Sequence, residues 1–423
     1  MPDYFPEIDR PLWSDTEVRS LQKIVGRLED TLSGDLFGRT KISQPTTLFD
    51  SSHVYQDYGD FADSTNGAGA SVSYLVNQSS ATLNVGTVSG EYVYRESKRV
   101  FTYQPGKSLQ VLQTFAFNEA KTNLRQRAGY FSSNNGFYLE RDGSDIYLVK
   151  RSYISGSVVN TRVPQNEWNR DKLDGTGPSG ITLDDCKTQI LFSEYEWLGV
   201  GSVVMGFVIN GNPVTAHQFD NANVSTSVYM TSATLPVRYE IENTGTTTSS
   251  STMKQVCVSV LSNGGYEKKS VQSIARRTTA IAATVAGTIY PLVSIRLASD
   301  RLNAVIIPSQ YHLQPMSSGS YEYLLIKNGT LTGASYNTTA FPNVDFDTTA
   351  TAITDGTIVE HGYFDASAQS AAPAMVTADY NFSYQLGRNS FTSTSDVLTL
   401  AFTTFTSTGS PSAIGALGFY DLT

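Results

Sequence analysis

The sequence predicts an all-β fold: a large antiparallel β-sandwich and a second β domain, preceded by a short N-terminal helix. Three observations predict it. Of 423 residues, 40% are hydrophobic and only 16% are charged, where an ordinary globular chain carries about 25% charged residues. Ser, Thr, Asn, Gly and Tyr fill the difference, which suits strands with one buried face and an uncharged polar outer face. From Phe37 onward apolar residues alternate with polar ones instead of recurring at helical spacing. Turn-forming clusters of Gly, Asn, Asp and Ser separate these runs about every 8–15 residues, with little room for helix between them.

The first residues carry Pro2, Pro6 and Pro11 and read as an extended arm. Ser14 and Glu17 form a capping-box pair at the start of a helix. Val18, Leu21, Val25, Leu28 and Leu32 then follow at alternating spacings of three and four, a narrow apolar seam that ends before Gly34. A helix this short is barely stable alone. Its seam therefore packs on the chain's own body, or anchors and oligomerises the chain by meeting copies of itself or a groove on another protein. Residues 1–36 are assigned to this arm and helix.

Strands are expected over Ala70–Val76, Tyr92–Tyr103, Ser108–Phe117, Gly136–Arg141, Asp145–Arg151, Ile190–Trp197, Ser202–Asn210 and Leu235–Glu242. Asp142-Gly143 and Asn210-Gly211 are hairpin turns, because both central residues tolerate positive φ. A boundary falls near Ser262–Lys269, where Gly264-Gly265 gives a linker-like composition. It divides a sandwich of residues 37–264 from a β domain of residues 265–423. The latter has expected strands at Tyr290–Leu297, Asn303–Ile307, Tyr321–Lys327, Ser383–Leu386 and Val397–Phe405, with Asn328-Gly329 as a third hairpin turn. No fixed-period repeat is present.

A net charge of −9 without a dense Lys/Arg run argues against phosphate-backbone binding, so no nucleic acid is expected as a partner. Arg276-Arg277 and Lys268-Lys269 read as solvated pairs. Cys186 and Cys257 are too few for a disulfide scaffold or a zinc site, and two buried free thiols are expected in preference to one bridge. The N-terminus lacks the basic start and apolar core of a signal peptide. No apolar run approaches the roughly 18 residues that cross a bilayer. A soluble chain made in a cytoplasm, without membrane insertion, is the expectation.

The best catalytic candidate is Glu194-Tyr-Glu196 before Trp197. On a strand these carboxylates share a face about 6.5–7 Å apart, within the range that glycoside hydrolysis uses. Leu198 stands where a third acid would follow, so the pair reads more readily as the solvent face of an edge strand, with Tyr195 and Trp197 inward. Asp171, Asp174, Asp184 and Asp185 belong to the loop DKLDGTGPSGITLDD, a candidate ligand loop. Their spacing fails the EF-hand pattern, and Gly175, Gly177 and Gly180 explain the segment as a shaped turn. His53, His217, His312 and His361 show no metal-ligand spacing, and no G-x-S-x-G elbow is present. Arg95, Arg99, Arg125 and Arg127 either bridge to Glu96, Glu119 or Glu140 across strands or meet acids of a neighbouring subunit. No catalytic, cofactor-binding or metal-binding residue is assigned, and no cofactor is expected.

Several stretches resemble a family of virion structural proteins of tailed bacteriophages, of tail-fibre, head-fibre or decoration type. They are FGRTKISQPTTLFDSSHVY, RVFTYQPGKSLQVLQTF, KTNLRQRAGYF, NGFYLERDGS, WNRDKLDGTGPSG, EWLGVGSVVMGFVING and TLPVRYEIENTG, covering roughly residues 37–266. The resemblance implies a non-enzymatic peripheral appendage of the virion (fibre, neck, tail or head decoration) attached through its N-terminal segment. Its implied partners are other virion proteins and copies of itself, a trimer before other symmetries. A host-glycan adhesin and a polysaccharide depolymerase are the alternatives. A weaker likeness, carried by MGFVINGNPV, is to jelly-roll lectin sandwiches, which makes the expected sandwich jelly-roll-like.

Overall fold

The computed structural model describes residues 45–270, 272–367, 374–377 and 384–423. The expected N-terminal helix, with Val18, Leu21, Val25, Leu28 and Leu32, lies outside the described residues. What is described is all-β apart from short 3-10 turns, and every strand pairing among the described residues is antiparallel.

The first sandwich uses β1 (Thr46–Ser51), β2 (Phe61–Asn66), β3 (Ser71–Leu75), β4 (Ser80–Val85), β5 (Tyr92–Ser97), β6 (Ser108–Ala116), β7 (Leu124–Phe131) and β8 (Gly136–Asp142). It continues with β9 (Asp145–Ser152), β10 (Val159–Pro164), β11 (Gln189–Tyr195), β12 (Val203–Ile209), β13 (Asn212–Phe219), β14 (Val237–Asn243) and β15 (Ser251–Asn263). One sheet runs β13-β12-β11-β6-β15-β4-β3, with β1 also on β15; the other runs β10-β9-β8-β7-β14-β5-β2. Between them Leu83, Val111, Phe115, Met205, Phe207 and Val260 meet Val93, Phe137, Leu139, Leu148, Tyr239 and Ile241 in one core. Two tyrosines reach this core because their hydroxyls find carbonyls there: Tyr130 donates to Phe101 O at 2.9 Å and Tyr195 to Ala233 O at 2.9 Å.

The hairpin signals hold unequally. Asn210 (φ 52°) and Gly211 (φ 80°) lie between paired Ile209 and Asn212, as a two-residue turn with positive φ at both centres requires. In the β8–β9 hairpin Asp142 pairs with Asp145, so the central residues are Gly143 and Ser144, and only Gly143 (φ 61°) is left-handed. Asn328-Gly329 makes no hairpin. The strand before it, Gly319–Lys327, pairs with Thr357–Ala366, while Thr330–Thr332 pairs with Ala352–Thr354. Asn328 starts that excursion and is pinned by Asp396 and Val397. Of the expected strand Ser383–Leu386, the described residues 384–386 are not a strand either. Both cysteines are free as expected, but Cys257 is exposed and Cys186 half-buried, not buried together.

β15 is the central strand that alternation fails to reveal. Its register against β6 shifts between Gln255 and Val258, where one extra residue bulges out and turns the following side chains over.

Residues 272–421 build a second sandwich. Its four-stranded sheet runs Gln272–Ala282, Ser412–Asp421, Ile306–Pro315, Ala374–Thr377, and its five-stranded sheet runs Val344–Asp347, Tyr290–Leu297, Val397–Thr404, Gly319–Lys327, Thr357–Ala366. The two sandwiches touch through polar and apolar contacts. Arg388 donates to Glu96 at 2.6 Å and its backbone N–H to Lys98 O at 2.8 Å. Gln385 donates to Val100 O at 2.9 Å, and Val305 and Ile307 pack into the first core.

Gly129 on β7 tests the packing of the seven-stranded sheet. A methyl group there would lie 2.4 Å from Phe137 O and 2.4 Å from the Tyr138 Cβ. The G129A variant is expected to lose about 3 kcal/mol of stability, read as a lower urea midpoint at unchanged slope. A midpoint equal to that of the unaltered protein would show the sheet to be looser than described.

Candidate functional site

Alternation sends every second side chain of the seven-stranded sheet away from the core, and on this outer face most of them are charged or aromatic. Register lines them up in rows. Tyr94, Glu240, Arg127, Glu140 and Tyr147 are successive cross-strand neighbours on β5, β14, β7, β8 and β9. The adjoining row is Glu96, Arg238, Gly129, Tyr138, Val149 and Arg162. On the other side stand Tyr92, Glu242, Arg125 and Asp142. In the first and third rows acid and base alternate, so Arg127 and Arg125 each fall between carboxylates, and in the second Arg238 lies beside Glu96.

Arg127 donates to Glu140 at 2.6 Å and to Glu240 at 2.7 Å. Arg238 donates to Glu240 at 2.6 Å and to Glu96 at 2.7 Å. Arg125 and the Tyr94 hydroxyl both donate to Glu242, at 2.5 and 2.8 Å. Arg162 reaches Asp142 at 2.8 Å and lies 4.0 Å from the Tyr147 ring centre. Arg151 donates to Tyr138, Asn160 and Ser132 O.

The centre of this array is dry and its margin is not. Glu140 is 2% exposed and Glu240 3%, whereas the side chains of Arg125 and Arg162 are 31% and 36% exposed. Tyr92 and Tyr94 stack at 4.3 Å on the half-buried margin. Burial pushes the Glu240 carboxyl up, but the Arg238 and Arg127 guanidiniums outweigh it and hold the group at about 2, below the ordinary 4.5. Burial likewise lowers Arg238, and Glu240 and Glu96 more than reverse it. Burial and the Glu242 carboxylate together push the Tyr94 hydroxyl up.

The array answers the question left open for the arginines. Arg127 bridges to Glu140 as expected, but Arg125 takes Glu242. Arg95 points inward to Asp57, Asp63 and Gln255, and Arg99 pairs with Asp60. Glu240 and Glu242 are also the same-face carboxylate pair that sequence reasoning missed. The rule that selected Glu194-Tyr-Glu196 selects Glu240-Ile-Glu242 equally well.

Glu194 and Glu196 are not brought together on a wet face. Glu194 is buried, accepting from Ser108 at 2.7 Å and Asn263 at 3.1 Å. β11 ends at Tyr195, and the chain turns through Leu198 (φ 34°) and Gly199 (φ 82°), so Glu196 leaves the strand's alternation. Tyr195 is inward as expected, and Trp197 packs on the core and donates to Met230 O.

The aspartates of the 171–185 loop shape it. Asp171 accepts from the Leu173 and Ser179 amides, which overcome burial and hold its pKa low. Asp174 accepts from Thr176, and Asp184 from the Cys186 amide. Asp185 is buried and takes both ends of the Arg141 guanidinium. Asp184, Asp185 and Cys186 have donor atoms within 4.8 Å of one another, but Asp185 is held on both oxygens by Arg141. The four histidines occupy four different elements. Burial lowers His217 to about 4, and its Nδ1 accepts from the Asn169 amide.

No protein-family model and no curated protein matches the chain. Among solved structures, the β-glucanase of Bacillus licheniformis is similar over 52% of this chain and 98% of its own, at 9% identity and a TM-score of 0.34. A CBM2 module of the evolved Dit of Lactobacillus casei BL23 phage J-1 covers 53% and 99%, at 8% identity and a TM-score of 0.34. Arcelin-5, a lectin-like defence protein of Phaseolus vulgaris, covers 52% and 99%, at 10% identity and a TM-score of 0.30. The expectation of a non-enzymatic chain is corrected on this finding: a glucanase stands among the similar structures, so catalysis is not excluded. Likenesses this distant transfer no activity.

Glu240 gives the array a pH signature. Its pKa is lower folded than unfolded, so its contribution is complete above about pH 4.5 and disappears as pH falls toward about 2. The stability difference between the unaltered protein and E240Q should therefore shrink across that window in urea titrations. A difference that stays constant from pH 6 to pH 2 would rule out the pairing of Glu240 with Arg127 and Arg238. R127A strands two buried carboxylates and is expected to cost about 3–5 kcal/mol.

Proposed function

We propose that this chain is a surface protein of a tailed-phage particle that holds a host saccharide against the outer face of its seven-stranded sheet. The observation that carries the binding half is the preformed array. A sugar ring offers fixed hydroxyls and an apolar C–H face. It is matched by planar donors and acceptors held in place beside aromatic rings. Here the guanidiniums and carboxylates are locked by each other, so little side-chain freedom remains to be lost on binding. The accessible margin supplies Tyr92 and Tyr94 as ring surfaces, and Arg125, Glu242 and Asp142 as hydrogen-bonding groups. A second accessible cluster is formed by Tyr147 and Arg162.

The virion half rests on the seven stretches that resemble phage structural proteins. In this reading residues 1–36 attach the chain to the particle and assemble it, with a trimer as the expected state. The β-sandwiches face outward.

A panel of host surface polysaccharides and their oligosaccharides tests the binding half. Binding is expected for the unaltered protein, and R125A and Y147A should each weaken it about tenfold, the equivalent of one lost charged hydrogen bond or ring contact, with melting temperatures little changed. No binding by the unaltered protein at high micromolar concentration sinks the proposal. Release of reducing ends from a bound polysaccharide would make the face catalytic. Deleting residues 1–36 should abolish incorporation into particles while leaving the β-sandwiches folded; undiminished incorporation would remove the anchoring role.

A further inference from the structure

The far end of the first sandwich contains two buried oxygens that the rest of the fold leaves without a donor. Glu91 is 4% exposed and Asn243 is 1% exposed. Neither the Oε2 of Glu91 nor the Oδ1 of Asn243 has a hydrogen-bond partner among the described residues. Both are acceptors only, and an unpaired buried acceptor is costly, more so when it carries a formal charge.

The two side chains are brought together by a β-bulge. Tyr92 pairs with Glu242, and one step further the Gly90 N–H donates to Asn243 O while the Asn243 N–H donates to Glu91 O, both at 2.8 Å. Gly90 has φ 83°. This is the arrangement in which a left-handed glycine and the residue after it together oppose one residue of the partner strand. Glu91 and Asn243 thus face each other across the ladder, with the Cβ separation of a cross-strand pair, about 5 Å. Both follow the inward alternation, Glu91 with Val93 and Asn243 with Ile241.

The orientation of each head group is fixed by its other contacts. The Asn243 amide nitrogen donates to Gly86 O at 3.0 Å and Val88 O at 3.2 Å, which identifies the remaining atom as the oxygen. The Glu91 Oε1 accepts from the Gly69 N–H at 2.9 Å, which leaves Oε2 free. Glycines wrap the carboxylate: a Cβ on Gly86 would lie 2.6 Å from Oε2, and one on Gly67 2.3 Å from Glu91 Cγ. Above the pair lies the exposed turn 87–90, tied down by the Asn66 side chain on Gly90 O at 2.8 Å.

We propose that Glu91 and Asn243 hold a calcium ion. The donors are hard oxygens, one anionic and one neutral, which is calcium's ligand chemistry. The turn carbonyls of Gly86, Thr87, Val88 and Gly90 already accept from Asn243, Thr247, Glu91 and Asn66, so water entering beside residues 87–90 supplies the rest of the shell. With one carboxylate the affinity falls in the weak class typical of extracellular modules, on the order of 0.1–1 mM. The bound ion fastens the β4–β5 turn to the end of β14, next to Tyr92 and Glu242 at the margin of the array.

The test is thermal unfolding of the full chain after exhaustive chelation, with and without 10 mM calcium, roughly ten or more times the expected dissociation constant. Calcium should raise the melting temperature by roughly 3–5 °C. In E91Q that rise should vanish, while the chelated variant should melt no lower than the chelated unaltered protein, because an uncompensated charge has been removed. N243D, which adds a second carboxylate, should bind calcium at least tenfold more tightly in calorimetry. The proposal fails if calcium leaves the melting temperature of the unaltered protein unmoved, or if E91Q still responds. It also fails if magnesium acts equally well, or if D184N, at the other cluster of metal-capable donors, removes the response instead.

Discussion

Arg238 lies between Glu96 and Glu240, Arg127 between Glu240 and Glu140, and Arg388 of the second sandwich closes on the free side of Glu96. This continuous chain of ion pairs determines what the seven-stranded sheet can be. A sheet face covered by so many nearly dry charges is stable only if every one is compensated, since losing a single partner leaves a bare ion in a poorly solvated place. Register supplies the compensation. β5, β14, β7 and β8 must pair in the observed alignment for acid to meet base, and a slip by one residue would drive these charges into the hydrophobic core. The charges thus discriminate between registers where apolar alternation alone would tolerate errors. They also connect the sandwiches, because Glu96 belongs to one and is satisfied in part by the other.

The eight-stranded sheet solves the same problem differently. Its outer face carries Gln110, Leu112, Thr114 and Phe192 around a buried carboxylate, Glu194, which accepts from Ser108 and Asn263. Among the described residues no charge ladder crosses it. The difference in chemistry between the two faces makes the seven-stranded sheet the better candidate for recognising a polar ligand: its donors and acceptors are many, directional and immobile.

The all-β class was readable because it follows from composition and period, both properties of the whole chain. Individual strands were readable where alternation is clean, as in Ser108–Phe117 or Ser202–Asn210. β15 was not, because the bulge after Gln255 breaks the period in mid-strand and leaves two short runs that suggest nothing. β7 was obscured for another reason. Gln126 and Ala128 point inward while Phe131 lies on the outer face, so its sequence lacks contrast between faces. Within the site, the Glu240–Glu242 pair could have been found from spacing alone. The guanidiniums that occupy it could not, since Arg127 lies far from Glu240 in sequence and meets it only through strand pairing. The loop aspartates misled in the opposite sense. Asp, Gly and Thr in sequence suggest a ligand site, yet the same residues cap tight turns, and backbone amides usually reach such carboxylates first.

Glu91 and Glu240 make the sharpest comparison in the molecule. Both are glutamates of one sheet, Glu91 at the bulge that leads into β5 and Glu240 on β14, both are nearly inaccessible, and they lie on opposite faces. Glu240 has a guanidinium on each oxygen. Glu91 has one backbone amide on one oxygen and, among the described residues, no donor on the other, and its cross-strand neighbour Asn243 likewise has an amide oxygen without a donor. A fold that compensates the buried carboxylates of one face so fully has no physical reason to tolerate an uncompensated carboxylate and an unpaired amide oxygen side by side on the other. Gln at position 91 would remove the charge without changing the shape. That Glu and Asn stand there together, on a bulge that turns them toward each other, is the pattern expected when positive charge is supplied from outside the chain.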